Sequence, residues 1–311
     1  MAKCVVLGAN GFIGSHLVDK LIDAGHEVRA FGRFSGGVLF HDRPNVELFY
    51  GDFLNKADLR KALKDVSYVF HFVSTTIPLT SENDPLIDVE TNVRVTVELL
   101  QECVEAKVKR VIFASTGGAI YGNIGDTPHV ETDTPLPVSP YAIGKLTIEH
   151  YLRYFNVKHG LDSIALRISN PYGERQPLHR KQGVIPIFLE NIALGRPVTV
   201  LGDGSMVRDY LYVKDLATMI EGMFDKEAKE MVYNIGSGHG TSLNQLLSLA
   251  EEVCNKKVEV IHKPVPSTFV QRAVLNTERF SKEFGIVPQT TLREGLETTS
   301  KYIQAEITRH G

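Results

Sequence analysis

Tyr141 and Lys145 stand four residues apart in Tyr141-Ala142-Ile143-Gly144-Lys145, a spacing that places a phenol and an ammonium on one helix face. A neighbouring positive charge favours the phenolate, so the pair reads as a tyrosine base working near neutral pH. Spacing alone does not single it out, because Tyr154…Lys158 and Tyr210…Lys214 repeat it. Context separates the three. Tyr141 follows Ser139-Pro140 at a helix start, downstream of a strand ending in Ser115-Thr116. Tyr154 lies about 220° around the same helix. Tyr210 falls in a strand, with no hydroxyl partner in view.

A second motif supplies a ligand for that chemistry. Gly8, Gly11 and Gly14 follow the apolar run at residues 4–7 and open a stripe of Ile13, Leu17, Val18, Leu21 and Ile22 that ends at Gly25. Strand, glycine turn and helix start form a cradle for a pyrophosphate. Glycine permits the tight turn and close approach, and first-turn amides such as those of Phe12 and Ile13 point at negative charge. The chain therefore reads as a dinucleotide-binding enzyme.

The elements around these motifs alternate. Strands at 28–31, 46–50, 68–73, 110–114 and 164–168 are interleaved with helices at 92–106 and after Pro140, which predicts a doubly wound parallel α/β sheet. Prolines at 171, 177, 186 and 197 mark a looser second lobe. Strands at 209–213 and 232–235 read as returning to the first lobe, and helices at 243–253 and 293–303 as closing the second. The expected division is a dinucleotide-binding domain at 1–169, also receiving about 207–238, and a discontinuous substrate lobe at 170–206 and 239–311.

Composition excludes other classes. A net charge of −3 with no basic run argues against nucleic acid, and no apolar stretch is long enough to span a membrane. The immediate first strand is read as leaving no room for a signal peptide. Cys4, Cys103 and Cys254 are read as reduced thiols of a cytoplasmic protein, with no metal spacing.

Taken in order, the series is more specific than any one motif. It runs from the glycine turn through Gly51-Asp52-Phe53, Asn92, Ser115 to Gly122, Tyr141…Lys145, Arg167 to Gly173, and Gly202 to Tyr210. Over its full length the chain resembles the extended short-chain dehydrogenase/reductase family, within it the UDP-glucose 4-epimerase-like branch. That resemblance implies a Rossmann-type fold, a nicotinamide cofactor (NAD) in the large lobe, a nucleotide sugar in the small one, and a homodimer packed through helices near 92–106 and 141–159. It makes Tyr141 the catalytic base, Lys145 the residue that binds the nicotinamide ribose and lowers the tyrosine pKa, and Thr116 the hydroxyl on the sugar oxygen, with Ser115 second. Asp52 and Phe53 would meet the adenine, and Asn170 and Arg208 the substrate diphosphate.

Two departures from the family pattern carry information. The second strand ends Phe31-Gly32-Arg33, with Gly32 where NAD-using relatives place an aspartate, so the small Gly32 leaves room and Arg33 supplies charge for a 2′-phosphate. That feature points to NADP and to an NADPH-dependent 4-keto-6-deoxy nucleotide-sugar reductase as the competing activity. In the stretch 264–275, which holds Ser267, Thr268 and Phe269, Arg272 is the only basic candidate for the nucleotide.

Overall fold

The computed structural model describes residues 1–76, 78–123, 128–178, 183–265 and 270–310. Its first half runs β1 (Lys3–Leu7), α1 (Phe12–Asp23), β2 (Glu27–Gly32), β3 (Val46–Tyr50), α2 (Lys56–Ala62), β4 (Tyr68–His71), α3 (Pro78–Asn83), α4 (Pro85–Asp88), a π-helical turn (Val89–Val93), α5 (Arg94–Glu105), β5 (Arg110–Thr116) and α6 (Pro140–His159). The second half runs β6 (Asp162–Ile168), β7 (Asn170–Tyr172), α7 (Val184–Leu194), β8 (Val198–Leu201), β9 (Val207–Tyr212), α8 (Val213–Met223), β10 (Val232–Ile235), β11 (Gly240–Ser242), α9 (Leu243–Cys254), β12 (Val260–Lys263), β13 (Arg272–Ala273), α10 (Glu278–Phe284) and α11 (Leu292–His310).

Seven strands pair in the order β10-β6-β5-β4-β1-β2-β3, every pair parallel. Direction of growth reverses between β1 and β4, the place in a doubly wound sheet where ligands gather at the strands' carboxyl ends. Cys4, Val5, Val6 and Leu7 are fully buried because helices cover both faces. One core gathers Leu17, Val18 and Leu21 of α1 with Leu216, Met219 and Ile220 of α8. The other packs Leu59 of α2, Leu99 and Leu100 of α5, and Ile148 and Leu152 of α6 against the opposite face. The smaller lobe has its own core, including Phe188, Leu189, Leu246 and Leu296.

One expected strand goes elsewhere. β10 joins the large sheet beside β6, but β9 pairs with β7, β11 and β13 in a separate small sheet. Asp209 ties that sheet to the loop after β10. Its fully buried carboxylate accepts from Ser237 N at 2.8 Å, Ser237 Oγ at 2.6 Å and Gly238 N at 3.1 Å. No helix among the described residues is long and apolar enough to cross a membrane.

Candidate active site

The glycine turn has the shape its spacing predicts. Gly8 sits at φ +86, and a Cβ there would come within 2.9 Å of the Phe72 carbonyl and Val73 N. At Gly14 a Cβ would lie 2.1 Å from Gly8 O, so helix and turn touch only because no side chain intervenes. Gly11 donates to Gly8 O at 2.9 Å and caps α1 without a side-chain cap. The amides of Phe12 and Ile13 follow at the exposed end of the helix, where no intrahelical carbonyl reaches them. A concave turn lined by backbone donors, which any Cβ would fill, fits a pyrophosphate.

Around that turn, Arg33 is exposed just past the end of β2. Asp52 is exposed and accepts from Leu54 N at 3.0 Å, closing a turn. Phe53 is buried against the His71 ring, with centroids 5.2 Å apart.

Ser139 starts α6 by accepting from Ala142 N at 3.3 Å, with Pro140 in the first turn. The cap fixes Tyr141 in that turn and Lys145 one turn further on. Lys145 is buried; its Nζ donates to Ala114 O at 2.8 Å and lies 4.7 Å from the Phe113 ring centre and 5.6 Å from that of Tyr141. The helix is thereby pinned to the end of β5, where Thr116 is the last residue. Thr116 is buried, and its hydroxyl has no hydrogen-bond partner among the described residues.

Electrostatics at the pair differ from the sequence reading. Burial pushes Tyr141 up to about 12, and the Asp88 carboxylate adds to the rise. Burial also brings Lys145 down to about 8, against the opposing pull of Asp88 and Glu149. The ammonium is spent on a carbonyl rather than the phenol, so desolvation outweighs it in this state.

Ser115 also departs from its expected place. Its hydroxyl donates to Glu149 Oε1 at 2.5 Å, and Glu149 pairs with Arg167 at 2.8 Å. Arg167 in turn donates to Tyr121 OH at 2.9 Å. Strand alternation turns Ser115 into this buried network while Thr116 faces the other side. No hydroxyl remains at 115 for a substrate.

On the small-lobe side, Asn170 donates to Asp209 O at 3.2 Å and lies beside Gly118. Arg208 donates to Val207 O at 2.8 Å and Val270 O at 2.5 Å, and burial brings its guanidinium down to about 10. Arg272 pairs in register with Val207, and its buried Nε has no hydrogen-bond partner among the described residues. Tyr210 OH is likewise buried and unpartnered among them. Ser267, Thr268 and Phe269 lie outside the described residues.

The two other tyrosine–lysine pairs have different surroundings. Tyr154 is exposed and accepts directly from Lys158 Nζ at 2.8 Å. Lys214 leaves the strand altogether and pairs with Glu174 at 2.7 Å.

Sequence reasoning missed Asp88. It is buried, accepts from Thr76 Oγ1 and from Asn92 Nδ2 at 2.9 Å, and reaches α6 at Gly144. The available signal was the glycine itself, which weakens a helix interior unless something needs the space.

A dinucleotide cradle at the switch point of a parallel sheet, with a half-buried tyrosine and its buried lysine one strand away, defines a nicotinamide-dependent α/β enzyme. The model of the NAD dependent epimerase/dehydratase family matches residues 4–236, and the chain belongs to that family. It is similar to the UDP-glucose 4-epimerase of Thermotoga maritima solved with UDP-glucose: 36% identity, TM-score 0.92, covering 98% of this chain and 99% of that one. The Thermus thermophilus UDP-glucose 4-epimerase in complex with NAD superposes with TM-score 0.90 at 33% identity, covering 97% and 99%. The dTDP-4-dehydro-6-deoxyglucose reductase of Escherichia coli is 30% identical over 316 residues, covering 97% of this chain and 98% of its own length.

Proposed function

We propose that the chain is a cytoplasmic UDP-hexose 4-epimerase that binds NAD and works through a transient 4-keto sugar. The observation that carries this reading is the placement of Tyr141 and Lys145 against the end of β5, beside Thr116. NAD, when bound, would supply the hydride acceptor and donor for the sugar's C4. Tyr141 takes the 4-hydroxyl proton and later gives it back, and Thr116 holds the sugar oxygen. Lys145 binds the nicotinamide ribose. Gly8, Gly11, Gly14 and the Phe12 and Ile13 amides hold the pyrophosphate, with Asp52 and Phe53 at the adenine. Asn170, in the lobe formed by 170–206 and 239–311, and Arg208 on β9 meet the substrate diphosphate, and Arg272 of that lobe meets the nucleotide. The unpartnered Arg272 Nε supports that assignment, because a buried donor without an acceptor is costly.

The second copy of a homodimer docks on the outer face of α6. Ile143, Tyr154 and Val157 are exposed there and fall within about 60° of one another around the helix.

Protein reconstituted with NAD is expected to interconvert UDP-glucose and UDP-galactose, or their N-acetyl forms, with the change followed by NMR. No turnover of either pair rejects the reading. A second reading rests on exposed Arg33 after Gly32 and on the similar reductase: an NADPH-dependent 4-keto-6-deoxy nucleotide-sugar reductase. NADPH oxidation by a dTDP-4-keto-6-deoxy sugar, with no epimerisation of UDP-hexoses, would establish it instead.

A further inference from the structure

We propose that Asp88 is a positioning residue for the Tyr141–Lys145 pair: its buried carboxylate, held by Thr76 and Asn92 against the side-chain-free turn at Gly144, keeps the lysine an ammonium and lets Tyr141 hold the proton it has taken until that proton is returned. The inference deepens the epimerase reading and rests on Tyr141 and Lys145 being the reacting pair.

The carboxylate is held on both sides. Asp88 is 3% exposed, at the point where α4 passes into the π-helical turn. Oδ1 accepts from Thr76 Oγ1 and from Asn92 Nδ2, and Asn92 Oδ1 accepts from Thr75 N at 3.0 Å. The acid is therefore tied to the segment that follows β4. Its other oxygen faces α6. A Cβ at Gly144 would lie 1.9 Å from Oδ2, while the next side chain, Val93, is 3.7 Å away. Gly144 has an ordinary helical φ, so the space taken by Asp88 accounts for the glycine. The chain thus keeps a fixed negative charge against the one turn of α6 that separates the phenol from the ammonium.

The charges around the pair leave this role to Asp88. From α6, Glu149 pairs with Arg167 and adds to the rise at Lys145, but at Tyr141 Asp88 is the only charge that raises proton affinity. From β4, burial brings His71 down to about 3, so it is neutral at working pH. Glu82, Asp84 and Glu90 on neighbouring turns are exposed. The Asp88 charge raises the proton affinity of both Tyr141 and Lys145. For a base that must return the proton it takes, this matters. An ammonium alone makes the phenol a better acid, and a fixed carboxylate offsets it so the proton stays on Tyr141 between the two half-reactions.

The test is a titration of tyrosinate absorbance, with Tyr141 isolated as the difference between the protein and its Tyr141→Phe variant. In Asp88→Asn, which keeps the size and the polar contacts, the Tyr141 midpoint is expected to fall by about one pH unit or more, about tenfold in proton affinity. Acylation of Lys145, followed by mass spectrometry, should shift its midpoint downward too. An unchanged Tyr141 midpoint in folded Asp88→Asn overturns the proposal. If that variant does not fold, Gly144→Ala decides, because its methyl displaces Oδ2. A midpoint that does not fall there overturns it equally. Full epimerase turnover in Tyr141→Phe would instead reject the catalytic reading and leave the titration to judge Asp88.

Discussion

Helix α6 carries the same tyrosine–lysine spacing twice, and the two copies have opposite environments. At its buried end, Lys145 turns away from Tyr141 to the Ala114 carbonyl, 2.8 Å away. At its exposed end, Lys158 donates straight to Tyr154 OH at the same distance. In the surface pair the phenol is bonded to its own lysine. The buried pair forgoes that bond, leaving the phenol hydroxyl free and the ammonium fixed beside it. Spacing brings two groups to one helix face; what the rest of the fold offers the lysine decides whether the tyrosine is left free to react.

The largest test of this contrast is catalytic. Tyr141→Phe is expected to lower turnover by about 10²–10⁴-fold, the usual scale for losing a positioned base. Tyr154→Phe should leave it within about twofold. Both are read as initial rates of sugar interconversion by NMR at saturating cofactor. Comparable losses in the two variants would break the comparison.

Much of the buried pair was legible beforehand because its rules are local. Ser139-Pro140 announces a helix start, and the glycine triplet announces a turn that only glycine permits. The parallel order of the large sheet follows from alternation of strands and helices. What escaped depends on contacts distant in sequence. A strand's residues do not say which sheet it joins, so β9 was expected beside the large sheet and lies in the small one. Ser115 reads like Thr116 until Glu149 and Arg167 arrive from α6 and β6 to claim it. The Tyr141 proton affinity is not legible in the spacing because its largest influence is desolvation, which no spacing reveals.

The next effect concerns stability and its pH dependence. Burial holds Lys145 at about 8 in the folded chain, against an ordinary value of 10.5, so the unfolded chain binds the extra proton between those pH values. Charged Lys145 therefore costs stability at pH 7, and the cost fades as pH rises from about 8 towards 10.5. Lys145→Met is expected to melt higher than the parent at pH 7 while losing activity, with the gap narrowing at pH 10. Lys158→Met should show no such gap at either pH. A destabilised Lys145→Met at pH 7 would mean that the bond to Ala114 O outweighs desolvation, and the contrast between the two ends would shrink to catalysis alone.

The smallest effect lies in the surface pair itself. An exposed lysine–phenol bond competes with water, so a double-mutant cycle on Tyr154→Phe and Lys158→Met is expected to give a coupling below about 0.5 kcal/mol in dilute monomer. Exposed Val157 shares that face of α6, and a second copy docked there would remove the water. Raising the protein concentration through the association range should then increase the coupling, because the same bond in a drier setting is harder to replace. Val157→Asp should hold it at the dilute value by opposing association. If coupling stays flat while light scattering shows a dimer forming, the copies meet elsewhere, and the outer end of α6 is simply a solvated surface.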